Sequence, residues 1–339
     1  MRRGSIVQLF LFAIVAAGVA TALALVPGWL PHPASREAGR IDFVFWFVTV
    51  ICVAIFAIVA AVIAYSLLKF RAAPDDDADG APIHGHTGLE IAWTAVPTVL
   101  VIAIAVVSAI VLAKNGHAGA SPLRVNVTGQ QFAWSFSYPA QGGITSGTLR
   151  LPVGRSVKLY LRSRETDVIH SFWVPEFSQK QDLLPGMTTT LVITPDRVGT
   201  YPVICTELCG LGHSVMRTKA IVMPAQAFTA WAQKQQKAVK SGGKQGGKAI
   251  FAANGCASCH TFKPAGATAK VGPDLDKLPQ YAHQAGQPLD KFVRESIVSP
   301  KAYVQPGYQA LMPSFASLPS SQLDALVQYL VGGSKKGGS

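Results

Sequence analysis

The sequence predicts a multidomain fold: an N-terminal transmembrane α-helical hairpin, an all-β sandwich or barrel, and a C-terminal all-α domain. Three observations carry that reading. Two apolar runs, Phe43 to Leu68 and Ile91 to Leu112, contain no charged residue. From Leu123 the hydrophobic period changes to two. From about Lys248 the spacing is helical again, and it closes on PSSQLDALVQYL, where Ser320 or Ser321 suits an N-cap.

The 339 residues are 49% hydrophobic and only 14% charged. Apolar runs near the N-terminus account for that imbalance, and the chain after residue 118 has the composition of soluble protein. The formal net charge is +12. No helix interleaves basic and aromatic residues as a nucleic-acid-binding face does, so nucleic acid is not an expected partner. Much of the basic excess lies in KSGGKQGGK (240–248) and SKKGGS (334–339), read as solvated linker and tail.

Taken in order, residues 1–24 open with Met1-Arg2-Arg3, an apolar run and Ala22-Leu23-Ala24, the pattern of a signal peptide or of an extra membrane helix. Residues 41–114 form the hairpin, with spans at about 43–68 and 91–112. Aromatic residues crowd the start of the first span, as interfacial belts do. Asp75, Asp76, Asp77 and Asp79 read as a solvated loop between the spans. Lys69 and Arg71 place that loop in the cytoplasm, so everything after residue 114 lies outside it. Residues 120–226 alternate apolar and polar in short strands bounded by Pro and Gly, as an antiparallel sandwich or barrel does. Residues 227–247 are a helix and a Gly/Lys linker, flexible by composition. Residues 248–333 are the helical domain.

Five cysteines fall at 52, 205, 209, 256 and 259. Cys52 lies in an apolar helix and reads as a packing residue. The other four form two tight pairs, each followed by a histidine. The stretch CTELCGLGHSVM supplies Cys205, Cys209, His213 and Met216, soft ligands of the kind that select copper. His170, ending the strand-like TDVIHSF, is the candidate for a further imidazole. A Cys205–Cys209 disulfide and a mononuclear copper site are the alternatives. NGCASCHTF supplies C-x-x-C-H at Cys256, Cys259 and His260, the spacing by which two thiols bond to haem vinyl groups while the histidine takes the iron. Met312 and His283 compete for the sixth position; methionine would raise the reduction potential. His32, His84, His86 and His117 read as exposed loop residues.

The pattern C-x-E-x-C-G-x-x-H-x-x-M resembles the binuclear copper A signature of cytochrome c oxidase subunit II. The later segment, with ALMPSFASLP and VGPDL, resembles a class I cytochrome c fused to its C-terminus. The resemblance implies a cupredoxin-like fold for the sandwich. It also implies that Cys205 and Cys209 bridge two coppers, that His170 and His213 bind one each, and that Met216 and the Glu207 carbonyl are weak ligands. The Glu207 carboxylate would help hold a magnesium ion shared with subunit I. LEIAWTAVP (89–97) looks like the start of the family's second membrane helix, whose glutamate, here Glu90, lies near the mouth of a proton channel. A carboxylate favoured by the helix dipole is the other reading of Glu90.

GQQFAWSFSYP (129–139) resembles the family's aromatic strand, along which electrons arrive. Trp134 matches, but Phe132 stands where many members carry a tryptophan, and cross-strand packing is the alternative reading of both. In the haem segment, Pro273 would orient His260 through its carbonyl, and Met312 would be the iron's sixth ligand.

The resemblance implies a respiratory oxidase subunit with copper A and one covalent haem c. It would pass electrons from haem c to copper and on to haem a of subunit I, where oxygen is reduced and protons are pumped. Expected partners are subunits I and III, an upstream donor (a bc complex or soluble cytochrome c), and the lipid bilayer of a bacterial plasma membrane, with the metal domains on the periplasmic face. The rival from another class is a membrane-anchored copper delivery protein or mononuclear copper carrier.

Overall fold

The computed structural model describes residues 3–71, 82, 84–240, 243–316 and 318–337. The acidic run Asp75 to Asp79 lies outside them. The chain divides into two units, Met1–His32 with Gly39–Lys114, and Pro33–Ala38 with Asn115–Ser339.

In the first unit, α1 (Arg3–Leu25), α2 (Arg36–Lys69) and α3 (Thr87–Gly116) are each long and apolar enough to cross a membrane. The 34 residues of α2 extend about 51 Å at 1.5 Å per residue, well beyond a hydrocarbon core of about 30 Å. The helices thus outrun the apolar stretches read from sequence, because polar ends such as Arg36-Glu37 continue the backbone hydrogen bonding. At the start of α3, Glu90 Oε1 accepts the His86 amide at 3.1 Å and His86 Nδ1 accepts the Leu89 amide at 3.2 Å. His86 is therefore exposed but not idle, since it and Glu90 satisfy amides that a helix start leaves without intrahelical partners.

The second unit opens with a sandwich of two sheets. One has the order β3-β2-β1-β5-β8, from β1 (Leu123–Gln130), β2 (Ala133–Tyr138), β3 (Ile144–Ser146), β5 (Val157–Ser163) and β8 (Thr189–Ile193). The other is β4-β10-β9-β6-β7, from β4 (Leu149–Pro152), β6 (His170–Val174), β7 (Gln179–Leu183), β9 (Gly199–Cys205) and β10 (Arg217–Met223). The alternation seen in sequence faces inward: Val125, Val127, Leu159 and Leu161 are fully buried. The sandwich is not wholly antiparallel, however. β1 pairs parallel to β5 and β4 parallel to β10, because β4 leaves the first sheet and β5 re-enters it running the same way as β1.

Pro33–Ala38 belongs to this unit and was not assigned from sequence. Ala34 donates its amide to the Glu176 carbonyl at 2.8 Å, and Ser35 Oγ accepts the Ala38 amide at 3.1 Å as an N-cap. The buried Glu37 carboxylate accepts the Thr194 amide at 2.7 Å.

The helical part comprises α4 (Ala225–Lys240), α5 (Gly243–Ala253), a short hairpin of β11 (Thr261–Phe262) and β12 (Ala267–Thr268), α6 (Leu278–Gln284), α7 (Leu289–Val298) and α8 (Ser320–Gly337). Here two sequence readings are corrected. Most of the stretch read as linker is helix, with only residues 241–242 outside the described set. The basic tail continues α8 through Gly337, with Ser334 buried and residues 338–339 outside the described set.

The reason is close packing. Gly247 is buried, and a Cβ there would collide with the Ala325 carbonyl oxygen and Tyr329 Cβ on α8. Small residues in a Lys/Gly run look like linker but here let two helices touch. Phe251, Phe262 and Tyr329 then meet ring to ring at centroid distances of 5.4–6.1 Å. Gly247→Val should therefore destabilise the helical domain by about 2–3 kcal/mol through overpacking against backbone. Thermal unfolding followed at the haem and at the copper should show only the haem transition moving down.

Candidate functional site

The first group of side chains is built by strand register. β6 pairs antiparallel with β9, with Phe172 opposite Cys205. His170 begins β6, Cys205 ends β9, and the following loop returns into β10 just after Met216. One end of one sheet thus gathers His170, Cys205 and Met216 at the ends of three strands. Cys205 Sγ lies 3.9 Å from Cys209 Sγ and 3.9 Å from His170 Nδ1. Cys209 Sγ lies 3.5 Å from His213 Nδ1 and 3.8 Å from Met216 Sδ. The Glu207 carbonyl oxygen is 3.3 Å from Cys205 Sγ. All six groups singled out from sequence are brought together, and the sulfurs are free thiols, not a disulfide.

This donor set fits a soft metal. Cys205, Cys209 and Met216 are buried, and His170 is fully so. Burial pushes the Cys209 thiol up, reinforced by neighbouring Cys205, and pushes the His170 imidazole down against the opposing pull of Asp167. Burial therefore favours the neutral imidazole, the form that binds a metal. The Cys209 thiol is costly to ionise without a cation, which favours proton release on metal binding.

Two supporting residues escaped the sequence reading. Asp167 Oδ2 accepts the Gln131 amide at 2.8 Å and stands 3.7 Å from His170 Nε2, which has no hydrogen bond of its own. Gln131 Nε2 donates to the Cys209 carbonyl at 2.5 Å. Gln131 lay inside the quoted aromatic stretch, but nothing local marked it as a support for the thiolate loop. Trp134 is buried, donates Nε1–H to the Met216 carbonyl at 3.3 Å and packs edge-on to Phe172. The Glu207 side chain is half-exposed.

The second group lines an apolar cleft in the helical domain. Cys256, Cys259, His260 and Met312 all face it, backed by Phe292 and Leu326. His260 is buried and its Nδ1 lies 2.8 Å from the Pro273 carbonyl oxygen. That bond fixes the ring and leaves Nε2 free to meet an iron, as the outer hydrogen bond of a ligating histidine does. Burial pushes the Cys256 thiol up to about 12 and the His260 imidazole down. His283 is exposed on α6 and does not line the cleft. The pocket shape and its C-x-x-C-H donors fit a covalent haem. Phe132, Ala133 and Val215 of the sandwich line the same cleft. His32, His84 and His117 are exposed.

Three family models match the chain. The transmembrane domain of cytochrome c oxidase subunit II covers residues 22–111, its periplasmic domain covers 144–223, and cytochrome c covers 245–334. The cytochrome c oxidase subunit 2 of Thermostichus vulcanus is 36% identical over 62% of this chain and 79% of its own length. That of Synechocystis sp. is 34% identical over 60% and 75%. That of Alkalihalophilus pseudofirmus is 29% identical over 83% and 84%.

The thiol pair yields a direct test. In haem-loaded, copper-free chain the thiols left to react near the site are Cys205 and Cys209, 3.9 Å apart. Mild oxidation should join them and block copper uptake, and a thiol reductant should restore it, as followed by thiol titration and copper binding.

Proposed function

The chain belongs to the cytochrome c oxidase subunit II family, and from that premise we propose how its own residues serve electron delivery to subunit I. It is a membrane-anchored subunit of an oxidoreductase, a haem-copper terminal oxidase, with a cupredoxin-like domain and a fused cytochrome c. Four parts follow: residues 1–24, the hairpin 41–114, the copper domain 120–226, and the haem domain reached through α4. The segment 1–24 is read as an export signal or a third span. Either leaves the copper and haem domains on the periplasmic face of a bacterial plasma membrane.

When bound, copper A and haem c supply one-electron redox chemistry; everything else is positioning. Cys205 and Cys209 would hold two coppers through their thiolates, with His170 and His213 as the imidazole ligands. Met216 and the Glu207 carbonyl complete the set. Asp167 and Gln131 fix the histidine and the thiolate loop, which limits rearrangement during transfer. Cys256 and Cys259 would anchor the haem, the Pro273 carbonyl orients His260 as one ligand of its iron, and Met312 would supply the other. Phe132 lines the haem cleft and packs against the copper loop at Gly210 and Gly212, and Trp134 holds the Met216 carbonyl, so both would serve the electron path. The observation that carries this reading is the convergence of two thiols, two imidazoles, a thioether and a carbonyl at one buried end of the sheet.

The half-exposed Glu207 carboxylate would share a magnesium ion with subunit I. Glu90 caps its own helix and, in the assembled oxidase, stands at the mouth of subunit I's proton channel for proton pumping. Subunits I and III are the partners in the membrane. The upstream donor, a bc complex or a soluble cytochrome c, reduces haem c.

The test is metal content and spectroscopy of the full chain in detergent. The expected result is two coppers with a mixed-valence signal spread over both nuclei, and one covalent low-spin haem. A single copper with a mononuclear signal, or copper stripped by mild chelation, would overturn the binuclear assignment.

A further inference from the structure

The two metal-binding domains meet through a backbone contact at Gly147, and we propose that this contact is a latch setting the spacing between haem and copper. The inference rests on the site assignments above and deepens them. Gly147 lies in the turn between β3 and β4 and is buried. Its amide donates to the Ala252 carbonyl at the end of α5, at 2.8 Å. Its carbonyl accepts the Thr218 hydroxyl at 2.6 Å.

Both bonds lead to ligands. Thr218 lies on β10 two residues after Met216, at the copper loop. Ala252 leads through Gly255, which adopts a left-handed φ of 71°, into Cys256, a haem thioether. The amide and carbonyl of a single residue therefore tie the end of the copper loop, through the Thr218 hydroxyl, to the start of the haem-binding motif, through the Ala252 carbonyl.

The contact tolerates no side chain. A Cβ at Gly147 would stand 2.6 Å from the Ala252 oxygen and 2.7 Å from Gly255 Cα. Both are backbone atoms, so no rotamer change relieves the clash, and the domains must separate. Elsewhere the join is looser: Arg164 Nη1 reaches the Ser314 carbonyl at 3.5 Å, on the Met312 side of the cleft. The latch thus holds the haem cleft against Phe132, Ala133 and Val215, which line it. With both groups bound, the step whose distance this contact would set is the passage of one electron from haem c, oxidised by one unit, to copper A, reduced by one unit.

The experiment compares parent, Gly147→Val, Gly147→Ala and Thr145→Val in the full chain in detergent. A photoexcited ruthenium complex reduces the haem, and electron arrival at copper is timed optically. Gly147→Val should slow haem-to-copper transfer at least tenfold while haem and copper spectra stay those of the parent. Amide exchange at residue 147, measured without either cofactor, should rise at least tenfold. Thr145→Val, at an exposed position on β3 just before the turn, should match the parent in both. Should Gly147→Val not fold, Gly147→Ala carries the same expectation. A parent-like transfer rate and parent-like exchange in the glycine variants overturn the latch. A parent lacking the two-copper or haem signal overturns the assignment beneath it.

Discussion

The pairing of β6 with β9 is the constraint on which the copper end depends. Phe172 stands opposite Cys205, so the strand continues two residues further to place His170 beside both thiols. A register slip of one residue would turn His170 to the other face and bury a different side chain among the sulfurs. The neighbouring β9–β10 pairing closes the other side, and the Cys205 amide donates to the Met216 carbonyl at 3.2 Å. The ligand loop is therefore stretched between two strands whose separation the sheet fixes. The side chains proposed to hold copper are preorganised, and the burial of His170, Cys205, Cys209 and Met216 keeps reorganising water away.

In the haem domain the corresponding constraint is the contact of α5 with α8. The aromatic cluster behind it closes the rear of the cleft, and the short hairpin after His260 is tied down by buried Asp276, whose carboxylate accepts the Lys263 amide. The segment from Cys259 to Pro273 folds back on itself, with the Gly272 amide on the Cys259 carbonyl at 2.7 Å. That return brings the Pro273 carbonyl under the His260 ring. The orientation of one imidazole thus follows from helix packing and a loop closure thirteen residues long.

The sequence was most legible where chemistry is local. Ligands spaced within twelve residues on one loop, or within five around C-x-x-C-H, announce themselves because the spacing is the site. His170 was picked out across the fold as the end of a strand; the structure instead makes it the first residue of β6, and it still reaches the site because strand termini of either kind collect at the rim of a sandwich. Contacts made by featureless groups were not legible. Asp167 and Gln131 act through main-chain amides and a carbonyl, and neither residue type marks such a role. The parallel pairings depend on which sheet β4 joins, a tertiary choice that alternation does not encode. Glycine was the most misleading residue. Gly247 in a Lys/Gly run reads as flexibility, yet it is buried, because the space a side chain would need is already filled by α8.

Phe132 shows how the fused domain alters the meaning of one position. The resemblance placed a tryptophan there, on a face where an external cytochrome would touch. Here the phenylalanine ring packs over the backbone of the copper loop, so closely that a Cβ at Gly212 would fall 2.5 Å from it. The same ring lines the cleft that holds the haem ligands. An exposed docking surface needs an amphipathic aromatic that tolerates water, and tryptophan supplies a polar N–H for that purpose. A half-buried ring that lines the chain's own haem cleft has less such need, and phenylalanine packs there without leaving a donor unsatisfied. The substitution is therefore consistent with an interface that is internal to the chain, where covalent linkage replaces the affinity a separate partner would have to supply.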